Sequence, residues 1–375
     1  MSSDPAASAS AVLEIDLGAI TANWRLLARK VVPAECATVV KANGYGLGGE
    51  RVAKALADAG CRLFFVATLD EGIALRRALG NDAEIAVLNG PLPGTAAEFV
   101  AEDLIPVLND PGQIKAWQQI AQQQGGLPAM LHVDTGMSRL GLTGREFTAF
   151  ADDPSRWRAI RWRVLMSHLA CADTPEHALN ETQRQRFIAA RRRMPGVPAS
   201  LAASSGIFLG SEYHADLVRP GAALYGVNPQ PGRLNQLRPV VRLGGKILQI
   251  REIDRGESVG YGAAHIMEAP GRVATVAVGY ADGWLRSLSR RGCGHIAGTR
   301  VPLVGRVSMD LMTFDVSGID PALAHPGAMI ELLGSAYGVD DAAVDAGTIG
   351  YEILTSLGAR YHRIYREPPG KNLPE

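Results

Sequence analysis

Short apolar runs alternate with helically patterned stretches from residue 36 onward. "CATVVK" (36–41) precedes "ERVAKALADAG", "RLFFVATL" (62–69) precedes "EGIALRRALG", and "EIAVLNG" (84–90) and "IPVLN" (105–109) follow. The rhythm continues through "PAMLHVDTG" (128–136), "RVLMSHLA" (163–170), "ASLAASSG" (199–206) and "DLVRPGAALYG" (216–226). Helical stretches such as "DPGQIKAWQQIAQQQ" and "NETQRQRFIAARRRM" separate most of them. Eight strand candidates in repeated β–α order predict an α/β fold, a (β/α)8 TIM barrel. The alternative is an open doubly wound sheet, but no GxGxxG-type fingerprint follows the first strand.

The texture changes after "GVNPQPGRLNQLRP" (226–239), a linker rich in Pro, Gly and Asn. "VRLGGKILQIREI", "GRVATVAVGY", "CGHIAG", "RVPLVGRVSM", "MTFDVSG" and "AMIELLG" are β-rich runs punctuated by glycine. The expected organisation is a disordered lead-in over 1–10, a barrel over 11–239 and a mostly-β C-terminal domain over 240–375. "VLEIDLGAI" (12–20) reads as a strand at about 12–17 that ends at Asp16, a helix N-cap, and can pair with the second domain.

Composition narrows the functional classes. Lys and Arg (38) balance Asp and Glu (38), so bulk charge points to neither nucleic acid nor a membrane surface. Cys36, Cys61, Cys171 and Cys293 are scattered, with no CxxC pair, metal-ligand spacing or disulfide framework. The small, polar start "MSSDPAASAS" lacks a signal-peptide core, and no stretch is apolar enough to span a bilayer, so the expected location is the cytoplasm.

Barrel enzymes place their chemistry at the carboxyl ends of the strands. Those ends carry Lys41, Arg139, His168, Ser204 with Ser205, and Arg219 with Gly221. No carboxylate triad or His-rich metal cluster accompanies them, and no metal is expected. Taken alone, Lys41 reads as a solvated strand-end charge and His168 as a core histidine. Their joint placement on one rim favours function. Serine and glycine N–H groups beside strands seven and eight suit a phosphate, and a lysine opposite a phosphate grip is what pyridoxal 5'-phosphate needs.

The chain resembles the alanine racemases, fold-type III pyridoxal-phosphate enzymes, over essentially its whole length. "VVKANGYGLG", "HVDTGMSRLGL", "SVGYGAAH", "VGYADGW" and "GRVSMD" match family segments in the same order. The resemblance implies a racemase interconverting L- and D-alanine, with Lys41 bonding the cofactor and serving the D face of the substrate α-carbon. Tyr45, Ser205, Gly221 and Ala222 would hold the phosphate, and Arg219 the pyridine nitrogen. An arginine does not release its proton at working pH, so that nitrogen would stay unprotonated and side reactions would be suppressed.

Tyr261 would be the second base, on the L face, reaching the site from the partner of a homodimer. An unperturbed tyrosine has a pKa of ~10, so a base poised near neutrality needs help, which His168 and Arg219 would give. Met309 and Asp310 would come from the partner too, with the Met309 N–H on the substrate carboxylate and Arg139 holding the same region. Tyr280 and Asp173 correspond to residues lining the family's access channel.

Two departures stand out. Many relatives carry a carbamylated lysine where His132 stands, so Arg139 is expected to be oriented by another anion or by His132 itself. A gate tyrosine common in relatives aligns with Ala359, leaving Tyr361 as a candidate substitute. Competing readings are a serine or broad-specificity racemase and a fold-type III amino-acid decarboxylase. The decarboxylases carry an acidic residue at the pyridine nitrogen, where Arg219 stands here. A non-catalytic single-barrel cofactor-binding protein is the alternative outside enzymes, and it would lack the β domain. The role, D-alanine supply for peptidoglycan or alanine breakdown, is open at this stage.

Overall fold

The computed structural model describes residues 8–367 apart from 154, 156 and 158. Most of the lead-in expected over residues 1–10 thus lies outside the described residues, although the Ser10 carbonyl accepts a hydrogen bond from Lys246 N–H at 2.9 Å. The chain divides into two compact units. One runs from Ile20 to Arg238; the other joins the segment up to Ala19 to everything from Pro239 onward.

In the Ile20–Arg238 unit the expected β–α alternation builds a barrel. After β1 (Ala11–Asp16) and α1 (Leu17–Val31) come β2 (Glu35–Cys36), β3 (Thr38–Val39), α2 (Gly49–Asp58), β4 (Leu63–Val66) and α3 (Leu69–Leu79). Then follow β5 (Glu84–Val87), α4 (Ala96–Ala101), β6 (Ile105–Leu108), α5 (Pro111–Gln123), β7 (Leu127–His132), α6 (Gly144–Ala151), β8 (Ile160–Met166), α7 (Leu179–Arg192), β9 (Ala199–Ser200) and β10 (Leu217–Val218). β3 to β9 form a parallel sheet in sequence order. β10 pairs with β2, and Ala203 bridges to Arg219, so the ring closes. Ala37 and Val39 N–H donate to the Val218 and Pro220 carbonyls, which makes β2 and β3 one interrupted first strand.

β4 and β6 are buried at every position, as befits parallel strands covered on both faces. Local signals start the helices. Thr68 with Glu71 and Thr143 with Glu146 form capping boxes, and Asp110 caps α5 ahead of Pro111. β9 and β10 are shorter than their apolar runs because 3₁₀ turns over Ser205–Phe208 and Ala222–Tyr225 take over the backbone.

The other unit is mostly antiparallel sheet. β11 (Val241–Ile253), β12 (Ser258–Val259), β13 (His265–Ile266), β14 (Gly271–Val276), β15 (Cys293–Ile296), β16 (Thr299–Val304), β17 (Met312–Asp315) and β18 (Met329–Leu333) precede α8 (Val339–Ala346), α9 (Gly350–Ser356) and β19 (His362–Arg366). The order β14-β17-β16-β15-β18-β11 closes through a β11–β14 pairing, giving a small barrel around Val276, Phe314, Ile330 and Leu332. β1 belongs with this unit: it runs antiparallel to β11 (Ala11↔Gly245) and parallel to β19 (Val12↔His362), which satisfies both of its backbone edges. Asp16 then caps α1 by accepting from Ala19 N–H at 2.7 Å. Among the described residues no helix is long and apolar enough to cross a membrane.

Candidate active site

Lys41 stands just past β3 and opens a short helical segment, Lys41–Tyr45, of unusual hand. Ala42, Asn43, Gly44 and Tyr45 all have positive φ, between 53° and 63°. Three of these four residues are not glycine. A left-handed conformation costs L-residues roughly 1–2 kcal/mol each. Specific hydrogen bonds offset that cost here. Glu71 Oε1 accepts from Ala42 N–H at 2.6 Å, and Asn43 Oδ1 accepts from Gly49 N–H at 2.8 Å. Glu71 therefore caps α3 and fixes the residue after the lysine at once. Burial first, and then the Arg139 cation, hold the Lys41 amine below its usual range, while Glu71 pulls the other way.

Arg139, Arg219, His132 and His168 share one electrostatic neighbourhood with Lys41. Arg219 is only 3% exposed, yet it donates to Ser200 Oγ and, at 2.7 Å, to the Ser167 carbonyl. Burial lowers its pKa to about 10, so it remains a cation at neutral pH. Burial and then the Arg219 and Arg139 cations push His168 down to about 3. Burial and Arg219 likewise bring His132 down to about 4. Both rings are therefore neutral at pH 7, and the rim carries three cations of one sign.

His132 Nδ1 lies 2.8 Å from Asn109 Oδ1. Asn109 Nδ2 donates to the carbonyls of Leu88 (3.0 Å) and Val107 (2.9 Å), so the network assigns the ring proton to Nδ1. The direct hydrogen bond from His132 to Arg139 considered above is absent: the ring is held by Asn109 instead. Arg139 is exposed, and no carboxylate among the described residues forms an ion pair with it.

Beside this rim lies a close approach without side-chain bulk. A Cβ built on Gly221 would sit 2.3 Å from the Tyr45 hydroxyl, so the phenol occupies the space a side chain would need. Gly221 and Ala223 N–H both donate to Ser204 Oγ, at 3.0 and 3.1 Å. The Gly221 N–H is thus engaged by Ser204 Oγ, and the missing side chain makes room for the phenol. The N–H of buried Ala222 and the hydroxyl of half-buried Ser205 make no hydrogen bond among the described residues. Asp173 is exposed in the turn that follows β8.

In the β unit, Tyr261 opens a 3₁₀ turn and is 71% exposed. Tyr280 and Met309 lie on adjoining loops: the Ser308 and Met309 carbonyls accept from Tyr280 and Ala281 N–H at 3.0 and 2.9 Å. The Met309 N–H itself has no partner among the described residues. Asp310 pairs with Arg360 at 2.7 Å. Tyr361 is 4% exposed and its hydroxyl is buried without a partner among the described residues.

Glu71, Asn109 and Arg360 escaped the sequence reading. Only Glu71 left a local trace, the T-x-x-E capping pattern from Thr68. The partners of Asn109 and Arg360 lie 23 and 50 residues away.

Residues 15–229 match the family described as alanine racemase, N-terminal domain, and residues 240–365 match its C-terminal domain. The chain belongs to the alanine racemase family. It is 54% identical over 359 residues to the alanine racemase of Rhodospirillum rubrum, covering 95% of this chain and 96% of that one. It is 52% identical to a catabolic alanine racemase of Mesorhizobium japonicum, covering 96% and 94%. The crystal structure of alanine racemase from Bartonella henselae, with covalently bound pyridoxal phosphate, superposes with a TM-score of 0.92 at 41% identity, covering 96% of this chain and all of that one.

Proposed function

We propose that this chain is a pyridoxal-phosphate-dependent racemase that interconverts L- and D-alanine. The observation that carries the reading is Lys41: a half-buried amine of lowered pKa at the first strand end, among Arg139 and Arg219. The donor set fits the cofactor. Tyr45 at Gly221 leaves a cradle with no Cβ, the buried Ala222 N–H needs an acceptor, and Tyr45, Ser205, Gly221 and Ala222 would hold the phosphate. When bound, the cofactor supplies the electron-withdrawing ring that acidifies the substrate α-C–H.

The residues supply the rest. Lys41 anchors the cofactor and moves a proton on the D face; Tyr261, from a partner subunit, moves one on the L face. Desolvation keeps the amine closer to its neutral, nucleophilic form. Arg219, a cation locked by Ser200 and Ser167, would hold the ring nitrogen and withhold its own proton. Arg139 would bind the substrate carboxylate together with the Met309 N–H, which comes with Asp310 from the partner subunit. Tyr280 and Asp173 line the approach. Exposure of Tyr261, Tyr280, Met309 and Leu311 in the single chain favours their being covered in a homodimer.

The test is direct. The purified protein is yellow, loses its colour on reduction, and interconverts the alanine enantiomers without releasing carbon dioxide. A colourless protein defeats the reading outright; a yellow protein without alanine turnover marks a non-catalytic cofactor-binding protein, and carbon dioxide release marks a decarboxylase. Serine turned over faster than alanine would mark a serine or broad-specificity racemase. A cytoplasmic enzyme of this kind serves either D-alanine supply for peptidoglycan or alanine breakdown, and D-alanine auxotrophy on deletion assigns the first.

A further inference from the structure

Three segments of the β unit converge on one arginine. Arg360 Nε lies 2.9 Å from Asp282 Oδ1, and its Nη1 lies 2.7 Å from Asp310 Oδ1. Asp282 is buried, and its second oxygen accepts from Gly279 N–H at 2.8 Å, which shapes the Tyr280–Asp282 turn. That turn in turn donates to the Ser308 and Met309 carbonyls, and the Asp282 carbonyl accepts from Gly358 N–H at 2.9 Å. A Cβ on Gly279 would lie 2.3 Å from the Met309 carbonyl oxygen, so the two loops are in backbone contact.

We propose that Arg360 is a positioning residue for substrate carboxylate binding, holding the Met309 N–H in place and offsetting part of the negative charge of Asp282 and Asp310 beside it. The inference rests on the reading that the Met309 N–H receives the carboxylate. Without the guanidinium, two carboxylates would stand next to the point where a third must bind. Like charges repel, and the Met309–Asp310 loop would lose a two-armed, charge-assisted tether to the turn. The arginine touches no reacting atom, so its loss acts on binding rather than on proton transfer. Because L- and D-alanine have equal free energy, the effect must fall equally on kcat/KM in both directions.

The holoenzyme carrying Arg360→Met is assayed in both directions, with propionate as a competing small carboxylate. KM for each enantiomer and the inhibition constant for propionate should rise together, by roughly tenfold, with kcat within about threefold. Arg360→Lys, which retains the charge but not the two-armed geometry, should fall between. Adding Asp310→Asn to Arg360→Met should recover part of the loss in KM, because it removes one repelling charge. A kcat effect with unchanged KM and propionate inhibition, or no effect at all, overturns the proposal. Failure of Asp310→Asn to recover any affinity overturns its electrostatic part. If Arg360→Met does not fold, Arg360→Lys carries the same two readouts. An unaltered enzyme without alanine turnover would defeat the racemase reading itself, which the variant ratios alone cannot do.

Discussion

The Tyr45 hydroxyl stands where the side chain of residue 221 would begin, 2.3 Å from a Cβ built on Gly221. Two residues 176 positions apart therefore share one volume, and only glycine permits it. Gly221→Ala should displace the phenol and weaken the cofactor's phosphate grip. Titration of the cofactor-free protein with pyridoxal phosphate should show roughly tenfold weaker binding, about 1.4 kcal/mol. Unchanged binding would mean the cradle is elsewhere.

Glu71 joins the helix that follows the second barrel strand to the left-handed turn behind Lys41. Glu71→Ala removes the capping box and the acceptor for Ala42 N–H together. Stability should fall by about 1–2 kcal/mol, a drop of several degrees in Tm by calorimetry. The Lys41 amine should also shift further down, since Glu71 is the group that raises it. Glu71→Gln keeps one acceptor oxygen but turns an NH2 toward a backbone N–H, so it should recover only part of the stability and not the amine's position.

Two buried neutral histidines make a prediction about acid. His132 and His168 titrate near 4 and 3 when folded, against an ordinary value near 6.5. Their folded values are depressed, so the unfolded chain binds more protons between those limits. Stability is complete above about pH 6.5 and falls as pH drops, with a slope of up to about 1.4 kcal/mol per pH unit for each ring. Thermal unfolding of the cofactor-free chain from pH 7 to 5 should show this, and His132→Gln should remove about half of the slope. A flat profile would contradict the neutral assignment.

Much of this was legible beforehand because the signals are local. The apolar runs of the barrel strands, the helix start at Asp16 and the "VVKANGYGLG" segment each carry their meaning within a few residues. The hand of the turn at Ala42 and Asn43 was not legible, because it depends on Glu71 and Gly49 accepting roles that no local propensity prescribes. Nor was the hydrogen bond from the Gly221 N–H to Ser204 Oγ, which follows from where Ser204 points. Arg360 reads as one of many surface arginines until folding brings Asp282 and Asp310 to it.

Tyr261→Phe tests the two faces separately. The phenol is gone but the lysine remains, so α-deuterium wash-in from D-alanine in heavy water should persist while exchange from L-alanine falls by about 10²-fold or more. Equal loss from both enantiomers would contradict the assignment of the tyrosine to one face.

The central claim is that Lys41 is the amine bonded to pyridoxal phosphate. Borohydride reduction of the yellow protein followed by peptide mass analysis measures this most directly. The account predicts a single stable cofactor adduct, on the peptide containing Lys41, with activity lost in step. An adduct on any other lysine, or none, would contradict it.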